Sequence, residues 1–160
     1  MESLLPLAER AGALLKARGE TLAVAESSAG GLVSAALLAV PGASAYFRGG
    51  AVVYTRDARR ALLGLPDAAL DGVPPNSEPL AALMAEAARN RLGATWGLGE
   101  TGAAGPGGNR YGHPAGRACL AVAGPVARSA TLDTGSADRT ANMRLFGAEL
   151  LRLLVGALEG

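Results

Sequence analysis

Three residue types that carry much of enzyme chemistry occur once each in this chain of 160 residues, as Cys119, His113 and Lys16. A lone cysteine excludes an internal disulfide and a cysteine-based metal cluster. A lone histidine leaves no histidine-rich zinc site and no Ser-His-Asp triad with parts to spare. With Lys16 the only lysine, the positive charge is almost wholly arginine. No basic run occurs and the formal net charge is +1, which argues against nucleic acid as the main partner. No apolar run is long enough to span a membrane. Nor is there a targeting stretch, because Glu2, Glu9, Arg10, Lys16 and Arg18 interrupt the leading leucines and alanines and make them an amphipathic helix rather than a signal peptide. The expected location is the cytoplasm.

What is present is apolar residue, 49% of the chain, enough for one domain spanning residues 1–160 with a real core. Leu4, Leu5, Leu7, Ala8, Ala11, Leu14 and Leu15 recur at helical spacing, so Ser3 to Arg18 reads as a helix closed by Gly19. A short strand, Thr21 to Ala25, leads through Glu26 and Ser27 into a helix over Ala29 to Ala39. Val40-Pro41-Gly42 breaks that helix, Ser44 to Phe47 forms a turn, and Gly49 to Tyr54 is a second strand. A short helix covers Asp57 to Leu63, and a longer one starts near Ser77 and Pro79 and runs to Leu92. Ala94 to Gly99 is a strand that enters a glycine-rich segment, Glu100 to Pro114. Two adjacent strands follow, Gly116 to Ala123 and Ala127 to Leu132, and then a helix from Ala137 to Leu158. Alternation early and adjacent strands late predict an α/β fold, a three-layer α/β/α sandwich with a mixed central sheet.

Two glycine-bearing turns follow predicted strands, Ser27 to Gly31 and Gly102 to Gly108. A strand that ends in small polar residues and turns into a helix suits an anion, since the first-turn N–H groups and the helix dipole converge there. Glycines let backbone donors approach closely. Ser27 stands at the carboxyl end of a strand, where open α/β sheets keep ligands; the same residue could equally be a helix N-cap. The second turn is neither a P-loop, lacking the Gly-Lys-Ser/Thr ending, nor a dinucleotide fingerprint. Cys119, in an apolar strand, reads as a small buried hydrophobe.

These residues occur in a familiar order. Ala25-Glu-Ser-Ser-Ala-Gly-Gly resembles the Ala-Glu-Ser-Cys-Thr-Gly-Gly signature of the CinA C-terminal domain family, the nicotinamide-nucleotide amidases. Pro41 to Tyr54, Leu62 to Leu65, Asn76-Ser-Glu (Val-Ser-Glu in the family), Thr101 to Gly108 and Pro114-Ala-Gly match further family stretches in sequence order. The resemblance implies a three-layer domain that hydrolyses the carboxamide of nicotinamide mononucleotide to nicotinate mononucleotide and ammonia. It implies no metal or cofactor, a small-molecule nucleotide as partner, no membrane, and a dimer or larger homo-oligomer. It places the serine nucleophile on Ser27, the base on residue 59, an orienting hydroxyl on Tyr54, and phosphate or oxyanion donors around Gly30, Gly31, Gly102, Gly105 and Gly107. Ser77 could contribute from the first turn of its helix, where capping explains it equally well. Arg139 sits near the family's Gly-Asp-Arg, two residues displaced.

One departure stands out. The family's Tyr-Ser-Asn-Glu-Ala-Lys stretch reads Tyr54-Thr-Arg-Asp-Ala-Arg59 here. A serine hydroxyl is a weak nucleophile until a neighbour takes its proton, and arginine, unlike lysine, cannot be deprotonated in a protein. Lys16 lies in the first helix, far from the predicted crevice. His113, Tyr54 and an exposed Glu26 or Glu100 remain as bases. Three readings stay open: an amidase using another base, a nucleotide-binding pocket in which Arg59 clamps an anion, or an interaction module with a vestigial pocket.

Overall fold

The computed structural model describes residues 1–160. Its helices are α1 (Leu5–Arg18), α2 (Leu32–Ala39), α3 (Arg56–Leu63), α4 (Glu78–Leu92) and α5 (Arg139–Glu159), and its strands are β1 (Leu22–Glu26), β2 (Phe47–Val52), β3 (Trp96–Ala103), β4 (Arg117–Ala123) and β5 (Arg128–Asp133). The strands form one sheet in the order β2-β1-β3-β4-β5. β1 pairs in parallel with β2 and β3, while β4 runs antiparallel to both β3 and β5. The sheet is therefore mixed, as the spacing of helices and strands predicts. No helix is long and apolar enough to cross a membrane.

Successive strand residues face opposite sides, and the side-chain sizes differ sharply between the two. Leu22, Val24, Trp96, Leu98, Leu120 and Val122 join the main core with α1, α2 and α5. Ala23, Ala25, Cys119, Ala121 and Ala123 face α3 and α4. Gly97 and Gly99 lie on that same side. A Cβ on Gly99 would stand 2.0 Å from the Ala81 carbonyl oxygen, and one on Gly97 would stand 2.0 Å from that of Ala85. Small residues thus let α4 sit directly on the sheet. Because the obstacle is helix backbone, Gly99→Ala is expected to destabilise by about 3 kcal/mol. Urea unfolding checks this, and a loss below about 0.5 kcal/mol, the scatter of ordinary surface changes, would contradict it.

Several element boundaries differ by one to four residues from the sequence reading. The second helix begins at Leu32, not Ala29, because Gly30 and Gly31 take left-handed backbone with φ of 68° and 94°. The third strand extends to Ala103, since pairing with β4 continues as far as Ala103 opposite Arg117. The glycine-rich loop accordingly starts after Ala103. The second strand starts at Phe47, two residues early.

Candidate functional site

The β1–α2 turn is held by two buried carboxylates. Glu26, at the end of β1, accepts hydrogen bonds from the N–H groups of Gly31 (3.0 Å), Val33 (3.0 Å) and Ser34 (2.8 Å), and from the Ser34 hydroxyl (2.7 Å). It is fully buried and supplies the N-terminal anion for α2, whose capping position has no side-chain bond of its own. Glu100, on β3, accepts from the N–H groups of Ser27 (2.9 Å) and Ala29 (2.8 Å) and from the Ser28 hydroxyl. Both glutamates are 0% exposed, which corrects the expectation of exposed carboxylates available as bases. The N–H groups that the sequence reading offers to an anionic ligand are met here by the chain's own carboxyl groups. Gly30 donates to the Ser27 carbonyl and Gly31 to Glu26, so neither offers its N–H to a ligand.

Burial pushes Glu100 above the usual carboxyl value of 4.5; the bonds from Ser28, Ala29 and Ser27 oppose this, and the charge of Glu26 adds to it. A raised folded-state value means that the folded chain holds this proton more tightly than the unfolded one. The resulting stabilisation is complete below the unfolded value and is lost as pH rises through the folded one. Wild-type stability is therefore expected to fall, relative to Glu100→Gln, as pH rises from about 5 towards neutrality. Parallel urea titrations check this, and a pH-independent difference would contradict it.

Ser27 has 7% of its surface exposed, and its hydroxyl opens on a cavity of about 640 Å³. Tyr54, Thr55, Arg56 and Arg59 reach the cavity from the end of β2 and the start of α3, where Thr55 caps the helix by accepting from Ala58 N–H. Thr101 and Gly102 line it from β3, and Asn109, Arg110 and Tyr111 from the glycine-rich loop. No acidic side chain lines it. The sequence reading did not single out Arg56, Asn76, Thr101 or Asn109 to Tyr111 for this site. Only the departure at residue 59 pointed to the cationic character that Arg56 and Arg110 complete.

Arg59 is half-buried, and its Nε has no partner, whereas its neighbour Arg60 pairs with Asp57 and Asp67. Burial lowers the Arg59 value from the ordinary one, Tyr111 opposes that, and the like charge of Arg56 adds to the lowering. The guanidinium remains a cation throughout the working pH range.

Gly102 lines both this cavity and a smaller one of about 320 Å³, which Gly105, Gly107, Ser28 and Arg139 also line. Arg139 donates to the Gly105 carbonyl (2.7 Å) and so fixes the loop. Ser77 lines neither cavity. Its hydroxyl caps α4, accepting from Leu80 N–H (3.3 Å) and donating to the Pro74 carbonyl (2.6 Å). His113 is also outside both cavities; its ring nitrogen meets the Asn109 amide at 3.2 Å. Asn109 Oδ1 accepts from Tyr111 N–H (3.0 Å) and His113 N–H (3.1 Å), which shapes the loop that carries Arg110 and Tyr111. Lys16 contacts the Pro41 carbonyl at 3.3 Å, at the C-terminal end of α1. No set of three or more His, Cys, Asp or Glu side chains is placed to hold a metal ion.

The comparisons with known proteins converge. The model of the CinA C-terminal domain family matches residues 4–158. A CinA-like protein of Gloeobacter violaceus is 48% identical over 119 residues, covering 74% of this chain and 28% of the relative. One from Anaeromyxobacter sp. (strain K) is 44% identical over 153 residues, covering 96% of this chain and 38% of the relative. The chain thus spans roughly a third of the length of these curated relatives. Among solved structures, competence/damage inducible protein CihA of Agrobacterium tumefaciens superposes with a TM-score of 0.89 at 31% identity, covering 99% of this chain and 96% of that one. A CinA superfamily protein of Klebsiella pneumoniae superposes with a TM-score of 0.90 at 27% identity, covering 98% of each. Family model, relatives and fold agree: the chain belongs to the CinA C-terminal domain family.

Proposed function

We propose that the cavity binds a pyridine mononucleotide of the nicotinamide mononucleotide type and that the wild-type chain does not hydrolyse its carboxamide. The observation that carries this reading is the charge of the cavity: Arg56, Arg59 and Arg110 surround Ser27, and no carboxylate lines the wall. Guanidinium forks suit phosphate and carboxylate oxygens. Arg59, with its buried Nε unpaired, is the chief anion clamp. Tyr54 and Tyr111 supply flat surfaces at the mouth, 60% and 54% exposed. Amide hydrolysis would need a base for the Ser27 hydroxyl; the carboxyl groups and the histidine are committed elsewhere, and the cavity keeps only the phenols Tyr54 and Tyr111 beside its arginines. Glu100 holds the Ser28 hydroxyl and the Ser27 and Ala29 N–H groups. His113 lies outside the cavity, and residue 59 is an arginine.

Thermal unfolding with and without ligand tests the binding half. At a hundredfold excess over Kd, nicotinamide mononucleotide is expected to stabilise the chain by about 2.7 kcal/mol, a melting shift of roughly 5–10 °C for this size. The phosphate-free nucleoside should give a small fraction of that shift, and added salt should erode it. Equal shifts for nucleotide and nucleoside would contradict an arginine-based site.

A further inference from the structure

Asn76 is the one side chain at the cavity whose amide nitrogen and oxygen are both buried without a partner. It is 5% exposed, lines the cavity that holds Ser27, and neither its Nδ2 nor its Oδ1 has a partner. A buried amide left unpaired is costly, and native structures rarely keep one without a use. Its backbone is fixed in two ways. Its φ is 48°, a left-handed conformation that asparagine tolerates better than most residues, and its carbonyl accepts from the Cys119 thiol at 3.3 Å. Burial raises the Cys119 value, the bond from Thr131 opposing, so Cys119 stays a protonated donor. The backbone at residue 76 is thus held from β4 and at the entry to α4.

Taking the mononucleotide reading as its basis, we infer that Asn76 is a specificity residue that recognises the ligand's carboxamide through a paired donor–acceptor contact. An asparagine amide offers two N–H donors and one oxygen acceptor. A carboxamide is its complement, with its oxygen meeting Nδ2 and its NH2 meeting Oδ1. A carboxylate of the same shape offers only acceptors, satisfies Nδ2 and sets an oxygen against Oδ1. Asn76 therefore counterbalances Arg56, Arg59 and Arg110, which by charge alone favour the acid.

The test is isothermal titration of nicotinamide mononucleotide and nicotinate mononucleotide into wild type, Asn76→Gly and Asn76→Asp. Both substitutions suit the left-handed backbone. Asn76→Gly removes donor and acceptor together and should move the ratio of the two Kd values about tenfold towards the acid, the loss of one net hydrogen bond. Asn76→Asp keeps the acceptor for the amide NH2 and should hold the preference for the amide at or above that of the wild type. A purely structural role would weaken both ligands alike and leave the ratio unmoved, and that result overturns the inference while the nucleotide site stands. Failure of both nucleotides to bind wild type would overturn the inference and the nucleotide reading together.

Discussion

Arg59→Lys is expected to switch on hydrolysis of nicotinamide mononucleotide. The surroundings of residue 59 favour the neutral form of a base placed there. Burial and the Arg56 charge both push a cation there towards its neutral form, with Tyr111 opposing, and an amine, unlike a guanidinium, can respond by losing its proton. Ser27 opens on the same cavity. Its hydroxyl makes no side-chain bond that would have to break, because Glu100 holds the Ser27 N–H and not the hydroxyl. A positioned general base contributes roughly 10²–10⁴-fold, and ammonia release by Arg59→Lys should exceed that of the wild type by a factor in that range. The rate should climb with pH through the depressed lysine value, and Ser27→Ala in the Arg59→Lys background should abolish it. Equal silence of wild type and Arg59→Lys, with binding intact, would mean that the site departs from amidase geometry at more than the base.

Glu26→Ala is expected to cause the largest loss of stability among single substitutions around the site. Three N–H groups and one hydroxyl at the start of α2 depend on this carboxylate. The helix has only eight residues and no other N-terminal cap. Hydrogen bonds to an ionised acceptor contribute more than neutral ones, and donors left without a partner carry their full desolvation penalty. Water entering the space would satisfy part of them, leaving a loss of about 3–5 kcal/mol, or roughly 10 °C or more in Tm. Glu26→Gln keeps the shape and one acceptor and should lose about half as much. A Tm within about 2 °C of the wild type for Glu26→Ala, well under the expected loss, would show that α2 does not depend on the buried carboxylate.

The layers and the order of helices and strands were legible because period and punctuation agree along the chain. Gly19, Pro41-Gly42, Gly64 and Gly93 each stop an element where the pattern changes. The start of α2 was not legible. Ala29, Gly30 and Gly31 read as the first turn of an alanine-rich helix, and only the fold shows two of them in left-handed backbone. The turn itself was half legible. Small residues and glycines after a strand do announce an acceptor for their N–H groups, but the sequence could not say that Glu26 and Glu100 supply it. Glu100 lies 73 residues from the Ser27 N–H it accepts, and such a contact leaves no local trace. Asn76 was hidden for a similar reason: next to a residue with an obvious capping role, it reads as part of a helix entry. Its idle amide becomes visible only when β4 and the cavity are placed beside it. Residue 59 shows the opposite case, a single substitution within a recognisable stretch that carries chemical meaning before any coordinates.

The arginine-lined cavity is proposed to hold its ligand without cutting it. The most direct test follows heat and ammonia together while nicotinamide mononucleotide is titrated into the wild-type protein, with Ser27→Ala in parallel. Saturable binding, with no ammonia above that of Ser27→Ala, is the expected result. Ammonia release by the wild type that Ser27→Ala abolishes would contradict it, because a base for Ser27 would then exist in a cavity that holds no carboxyl group, histidine or lysine.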